Sequence, residues 1–334
     1  DRLFERLRNS DESATDLGER SWLFILLFPL IAAAPSFLTS GYPAGIDTPA
    51  HIFKPELMSQ MVAEYGRTFF WTDQWYNGYP FMAMYPPVTT NLIYHLNNVF
   101  QSITFSYNLV RLVAVTGVSA AVYLLTDRIT SDSRVRLITA AFAVFSYPLY
   151  SNLYTIGRLA SALALPVYFL LIYLLLRDDV FQREVSRGHI YIGLTAGILF
   201  LMHSMMAYLF IFTGLIFCIV YRNELTAIGL KPFLVTFSVP LVMSMPYIIR
   251  LLQHFTVTSP SWYVQPQPFS LSSHLEHSFD IIPPVYTGWL QTGFFSIGIL
   301  KCFRLKDRFF SFLAANFGFF FLAFWARNFG VAYF

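Results

Sequence analysis

The chain has 334 residues, of which 56% are hydrophobic, 19% aromatic and only 12% charged, with a formal net charge of +3. A soluble domain carries roughly 25% charged residues, and at a mean hydropathy of +0.53 this chain has too few polar groups to cover a water-facing surface. An ordinary soluble globule is excluded, and so is a β-barrel, which would show ~10-residue alternating segments; the composition predicts an all-α, polytopic helical membrane protein.

In chain order, residues 1–20 are polar and charged, and are expected at the cytoplasmic surface. The remainder, 21–334, is expected to form one transmembrane domain. A first apolar run at about 22–40 is long enough to span a bilayer. A loop rich in Trp, Tyr, Gly and Pro follows to about 87. The stretch 88–103 is only half apolar, with Asn91, His95, Asn97 and Asn98, and reads as an interfacial or re-entrant helix. Spans are expected at about 107–125, 137–154 and 159–176. The run 190–221 is too long for one span and short for two; it is read as two helices parted at His203-Ser204. Further spans are expected at about 232–249, 287–302 and 309–324. The start without Met and the abrupt apolar end lead us to expect a piece of a longer protein, truncated at its carboxyl end.

This layout has about nine spans and obeys the positive-inside rule. Its cytoplasmic loops hold Arg128, Arg134 and Arg136, then Arg177, Arg183 and Arg187, then Arg222 and Lys231, then Lys301, Arg304, Lys306 and Arg308. Treating 190–221 as one span would reverse every later loop. Counting 88–103 as a crossing would put the 128–136 arginines outside. The long outer segments are then about 41–87, carrying amphipathic helices, and about 251–286. Cys218 and Cys302 lie in or beside apolar runs and suggest neither a disulfide nor a zinc site. No P-loop, Rossmann glycine pattern, hydrolase triad or nucleic-acid-binding signal is present.

Four features carry chemistry. Asp47 and His51 are four residues apart in the first outer loop, and Thr48-Pro49 between them reads as a helix start with Thr at the N-cap and Pro at the first helical position. The pair could hold a divalent cation (Mg or Mn) or pass a proton. The alternative is that Asp47 shares the capping and His51 packs. Trp71, Asp73, Trp75 and Tyr79 form an aromatic cluster that suits the apolar faces of sugars, or equally an interfacial anchor. Arg111, Arg158 and Arg250 fall near outward span ends, at the depth of lipid phosphates, which the planar guanidinium fork fits; snorkelling to ordinary phospholipid is the alternative. Finally, His203 sits at the outer tip of the split helix pair.

Gly45-Ile46-Asp47 with His51, Trp75-Tyr76-Asn77-Gly78-Tyr79-Pro80, Tyr85-Pro86-Pro87 and Gly157-Arg158-Leu159-Ala160 resemble a bacterial and archaeal membrane family labelled "6-pyruvoyl-tetrahydropterin synthase-related", grouped with the GT-C glycosyltransferases. The label is not an activity, because a pterin synthase needs a zinc-binding histidine set in a compact α/β fold. The resemblance implies an integral membrane enzyme of a bacterial or archaeal cell, with a GT-C-like bundle and a site facing outside. It implies a polyprenyl-phosphate-linked sugar donor, and Asp47 as the first-loop acidic residue, acting as base on the acceptor or holding a metal on the donor phosphate. Arg158, with Arg111 and Arg250, would meet the donor phosphate, while Trp71, Asp73, Trp75, Tyr79 and His203 would line the sugar and acceptor side. Asp47 and Arg158 are then expected to meet in one place. A transporter or flippase of lipid-linked glycans, or a non-catalytic envelope scaffold, are the rival readings; the sequence names neither sugar nor acceptor.

Overall fold

The computed structural model describes residues 15–38, 41, 43–68, 70–72, 79–81, 86–226, 228–254, 308 and 310–316. Among them the chain is helical apart from one short hairpin. Among the described residues three helices are long and apolar enough to cross a membrane. They are α1 (Thr15–Leu38) through its stretch Ser21–Leu38, α4 (Ile103–Thr126), and α11 (Leu230–His254) through Leu230–Gln253. Their outward faces are apolar, with Leu27, Leu30 and Ile31 on α1 and Phe237, Leu241 and Val242 on α11 exposed. Such a face suits lipid rather than water.

Between α1 and α4 lies the first loop. It holds α2 (Thr48–Tyr65), the strands β1 (Phe70–Thr72) and β2 (Tyr79–Phe81), and α3 (Pro87–Phe100). The strands pair antiparallel, Phe70 with Phe81, Trp71 with Pro80 and Thr72 with Tyr79. Phe81 packs with Leu57 and Met58 of α2, and Phe53, Met61, Val62 and Tyr94 close round them, so the loop has a small core of its own. Helix α3 has 14 residues, roughly 21 Å at 1.5 Å per residue, short of the ~30 Å hydrocarbon layer. It ends at Gln101 in the left-handed region (φ 52°), whose N–H reaches the Asn97 carbonyl. Ser102 then caps α4 by accepting the Phe105 N–H, so α4 starts four residues before the expected 107.

The apolar run 137–154, expected as one span, is broken. Helix α5 (Ser133–Val144) stops, α6 (Tyr147–Tyr150) makes a single turn, and a π-turn (Ser151–Ile156) ends at Gly157 with φ 81°. Pro148 falls in this break and has no N–H to offer the Val144 carbonyl. Helix α7 (Leu159–Leu175) follows, then a 3-10 turn (Asp178–Phe181), α8 (Arg187–Met202), α9 (Ser204–Val220) and the short α10 (Arg222–Leu225). The expected split of 190–221 falls at His203, whose backbone is extended (φ −162°, ψ 107°) between α8 and α9.

The chain divides into two compact units. The first, residues 1–208 and 228–254, is built round α4, which packs on α1, α3, α5 and α7, while α8 packs on α7 and α11. Val110, Ala114, Val115, Val118 and Ala121 make the buried stripe of α4, at the three-and-four spacing of one helix face. It meets Ala160, Leu163, Ala164 and Leu171 of α7, which are also buried. At Gly117 a Cβ would lie 2.9 Å from the Pro166 ring, so a side chain there would push α4 and α7 apart. In the second unit, residues 209–227 and 255–334, Phe217 stacks on Tyr221 at 4.6 Å and meets the buried Phe312 edge-on at 5.8 Å. Arg308 pairs with Glu224 there. The residues 255–307, which include most of the second outer loop and the expected span 287–302, lie outside those described.

Candidate active site

The site is built in the first unit from two backbone turns that touch. The first is the loop entering α2. Its N-cap is Asp47 (φ −87°, ψ −7°), not Thr48 as the sequence suggested, and Pro49 is the second helical residue. The shift follows from where the polar groups go. The Thr48 hydroxyl donates to the Ala44 carbonyl at 3.1 Å and lies 3.1 Å from the Tyr107 hydroxyl, so it is directed back across the loop. Nor does the Asp47 side chain make a capping hydrogen bond. A carboxylate at an N-cap is ordinarily held by a backbone N–H; this one is not spent that way.

The second turn is the π-turn into Gly157 and Arg158. The Asp47 N–H donates to the Ile156 carbonyl at 2.7 Å. A Cβ on Gly45 would lie 2.8 Å from the Gly157 Cα, and one on Gly157 would lie 2.9 Å from the Thr48 nitrogen. Only two glycines allow this approach, and both have positive φ, 137° and 81°. Asp47 and Arg158 are therefore carried on backbones in direct contact. Arg158 is the exposed N-cap of α7, with its N–H on the Asn152 carbonyl at 2.7 Å.

Around this contact lies a buried polar cluster. His51 is 4% exposed and Lys54 8%. Burial, and then the nearby Lys54, His203 and Arg111, push the His51 ring down to about 3, so it is neutral at physiological pH. Burial lowers Lys54 to about 8, and Asp47 acts against that shift, which places the carboxylate within the lysine's field. His203, in the break between α8 and α9, reaches Ser161 on the first turn of α7, with Nε2 2.8 Å from Oγ. Its Nδ1 accepts the Met206 N–H at 3.3 Å, so Nε2 carries the proton and donates to Ser161. Burial and the Arg158 charge both lower its basicity.

Arg111 is 1% exposed. Its Nη2 donates to the Ala44 carbonyl at 2.9 Å and to the Leu153 carbonyl at 2.8 Å, and the guanidinium lies 4.6 Å from the Tyr107 ring centre and 4.8 Å from that of Tyr154. Instead of standing at a span end, it is sealed inside α4's packing face.

The structure thus brings together Asp47, His51, Arg111, Arg158 and His203. Arg250 is exposed near the end of α11, a helix that packs chiefly on α8. Trp71 and Tyr79 lie on the hairpin strands, at positions paired with Pro80 and Thr72. Asp73 and Trp75 lie outside the described residues. Sequence reasoning passed over Lys54, Ser161 and Tyr107. For Lys54 the signal was present, because Asp47, His51 and Lys54 are spaced by four and three residues and fall on one helix stripe.

Among the described residues no three His, Cys, Asp or Glu side chains assemble, and His51 faces Lys54 and Arg111, which repel a cation. No protein-family model matches this chain, and no curated protein matches it.

Proposed function

We propose that the chain is an integral membrane glycosyltransferase of the GT-C type, a bundle of about nine spans that moves a sugar from a polyprenyl-phosphate donor to an acceptor on the outer face of the membrane. The observation that carries this reading is the contact between the Asp47 loop and the Arg158 turn. It brings the backbone that carries Asp47, a carboxylate that makes no capping bond, against the backbone that carries the exposed Arg158, with the buried Lys54 in the field of the carboxylate.

In the reaction the acceptor hydroxyl oxygen attacks the anomeric carbon, and the bond from that carbon to the phosphate oxygen breaks. Asp47 takes the hydroxyl proton. The polyprenyl phosphate leaves with the bonding electrons, and Arg158 meets the added negative charge. His51, neutral and weakly basic, serves as a hydrogen-bonding wall rather than as a base or metal ligand. Arg111 gives its Nη2 protons to two backbone carbonyls, so it is withdrawn from the donor-phosphate set. The sugar would lie towards the hairpin of Trp71 and Tyr79 and towards His203 and Ser161.

The test uses the full chain in proteoliposomes with polyprenyl-phospho-hexose labelled in the sugar, read as loss of label from the lipid phase. Asp47→Asn is expected to lose at least about 100-fold in turnover per folded protein, with at most a small drop in its unfolding midpoint, since the side chain makes no capping bond but its charge supports the buried Lys54. Arg158→Ala is expected to raise the donor KM about tenfold. Normal turnover by Asp47→Asn would remove the base. Lipid movement across the bilayer without sugar release would replace the transferase by a flippase.

A further inference from the structure

A buried arginine normally answers a carboxylate, because a desolvated charge is costly unless it is paired. Arg111 answers carbonyls instead. One nitrogen, Nη2, carries two protons; one is directed at Ala44 and the other at Leu153. Ala44 belongs to the strand of loop that runs into Asp47, and Leu153 to the π-turn that runs into Arg158. The same Ala44 carbonyl accepts the Thr48 hydroxyl, whose oxygen touches that of Tyr107. The flat guanidinium is flanked by the rings of Tyr107, one turn back on α4, and Tyr154, from the π-turn. Three elements distant in sequence are fastened at one point, and that point lies behind the contact that joins Asp47 to Arg158.

We infer that Arg111 is a positioning residue: a latch that keeps the Asp47 loop in register with the Arg158 turn without touching substrate. Its kinetic consequence rests on the transferase reading; the latch itself does not. A lysine would keep the charge but, as a point donor on a flexible stem, cannot hold both carbonyls in one plane between two rings. A slip of about 1 Å between base and leaving-group site is enough to cost on the order of 100-fold in rate.

The test is Arg111→Lys in the full chain, with Tyr154→Leu as a milder second variant that removes one flanking ring. Amide hydrogen exchange is expected to quicken about tenfold or more over 43–51 and 150–159, with α8 (Arg187–Met202) unchanged. In the labelled-sugar assay, turnover per folded protein is expected to fall at least about tenfold, with the donor KM within about threefold of wild type. A purely structural arginine would lower the folded yield and leave turnover per folded molecule alone. Unchanged exchange in both segments, or a uniform rise along α4 and α8, overturns the latch. Faster local exchange with unchanged turnover overturns the positioning role. Should wild-type protein transfer no sugar, the transferase reading falls, while the exchange data still decide whether Arg111 joins the two turns.

Discussion

Placing a methyl group at Gly157 tests the contact on which the site depends. The residue has φ 81°, and an added Cβ would sit 2.6 Å from the Thr48 hydroxyl oxygen, 2.9 Å from the Thr48 nitrogen and 3.3 Å from the Gly45 Cα. Two costs follow. The left-handed backbone costs an alanine roughly 1–2 kcal/mol. The steric part is separate. The Thr48 backbone cannot rotate away, so the loop and the turn must part by about half an ångström against the 2.7 Å bond from Asp47 to Ile156, at about 1–3 kcal/mol for overpacking. Gly66→Ala supplies the control, because Gly66 has φ 63° with nothing within 4 Å of its Cβ position. It bears the backbone cost alone. Gly157→Ala is therefore expected to lose about 2–5 kcal/mol and Gly66→Ala about 1–2. Both are read from reversible unfolding in one detergent, followed by tryptophan fluorescence. If the two variants agree to within about 0.5 kcal/mol, the size of an ordinary surface change, the two turns do not touch and the argument for the site fails.

Two more outcomes follow from the same cluster. His51 has a folded-state value of about 3 against an ordinary 6.5, so the unfolded chain binds the extra proton first. Its contribution to stability is complete above pH 6.5 and is lost as the pH falls towards 3. At 1.36 kcal/mol per unit this reaches roughly 4–5 kcal/mol. His51→Gln is expected to flatten the acid limb of the unfolding midpoint, and parallel curves would refute the burial argument. Thr48→Val leaves the Tyr107 hydroxyl, on a wholly buried ring, without its threonine partner, at about 1–3 kcal/mol, whereas Thr48→Ser keeps the oxygen and costs less. Equal unfolding midpoints for the two variants would mean that the hydroxyl pair carries no weight.

Periodicity and turn chemistry made part of this legible from the chain itself. The apolar runs located α1, α4, α7 and α11, and the polar pair His203-Ser204 located the break between α8 and α9. Nothing in the Asp47 segment or the Arg158 segment says that their backbones touch; that depends on α4 and α7 packing closely enough to bring distant loops together. The surroundings of Arg111 were hidden for the same reason. An arginine near an apolar run looks the same in sequence whether it reaches for lipid phosphate or is sealed against two carbonyls. The run 137–154 hid its interruption because hydropathy averages over Pro148, while the backbone does not. Lys54 was overlooked because lysines in loop segments are normally solvated, and this one, on α2, is buried.

The six-residue π-turn limits how the gene can drift. Its wider winding carries one residue more than an α-turn would over the same rise. Deleting any one of residues 151–156 would remove that extra residue and re-aim the Leu153 and Ile156 carbonyls, which accept from Arg111 and from the Asp47 N–H. Point substitutions there can be absorbed one at a time, but a change in chain length cannot, so homologues that keep the chemistry should keep the spacing from Tyr150 to Arg158 even where the letters between them differ.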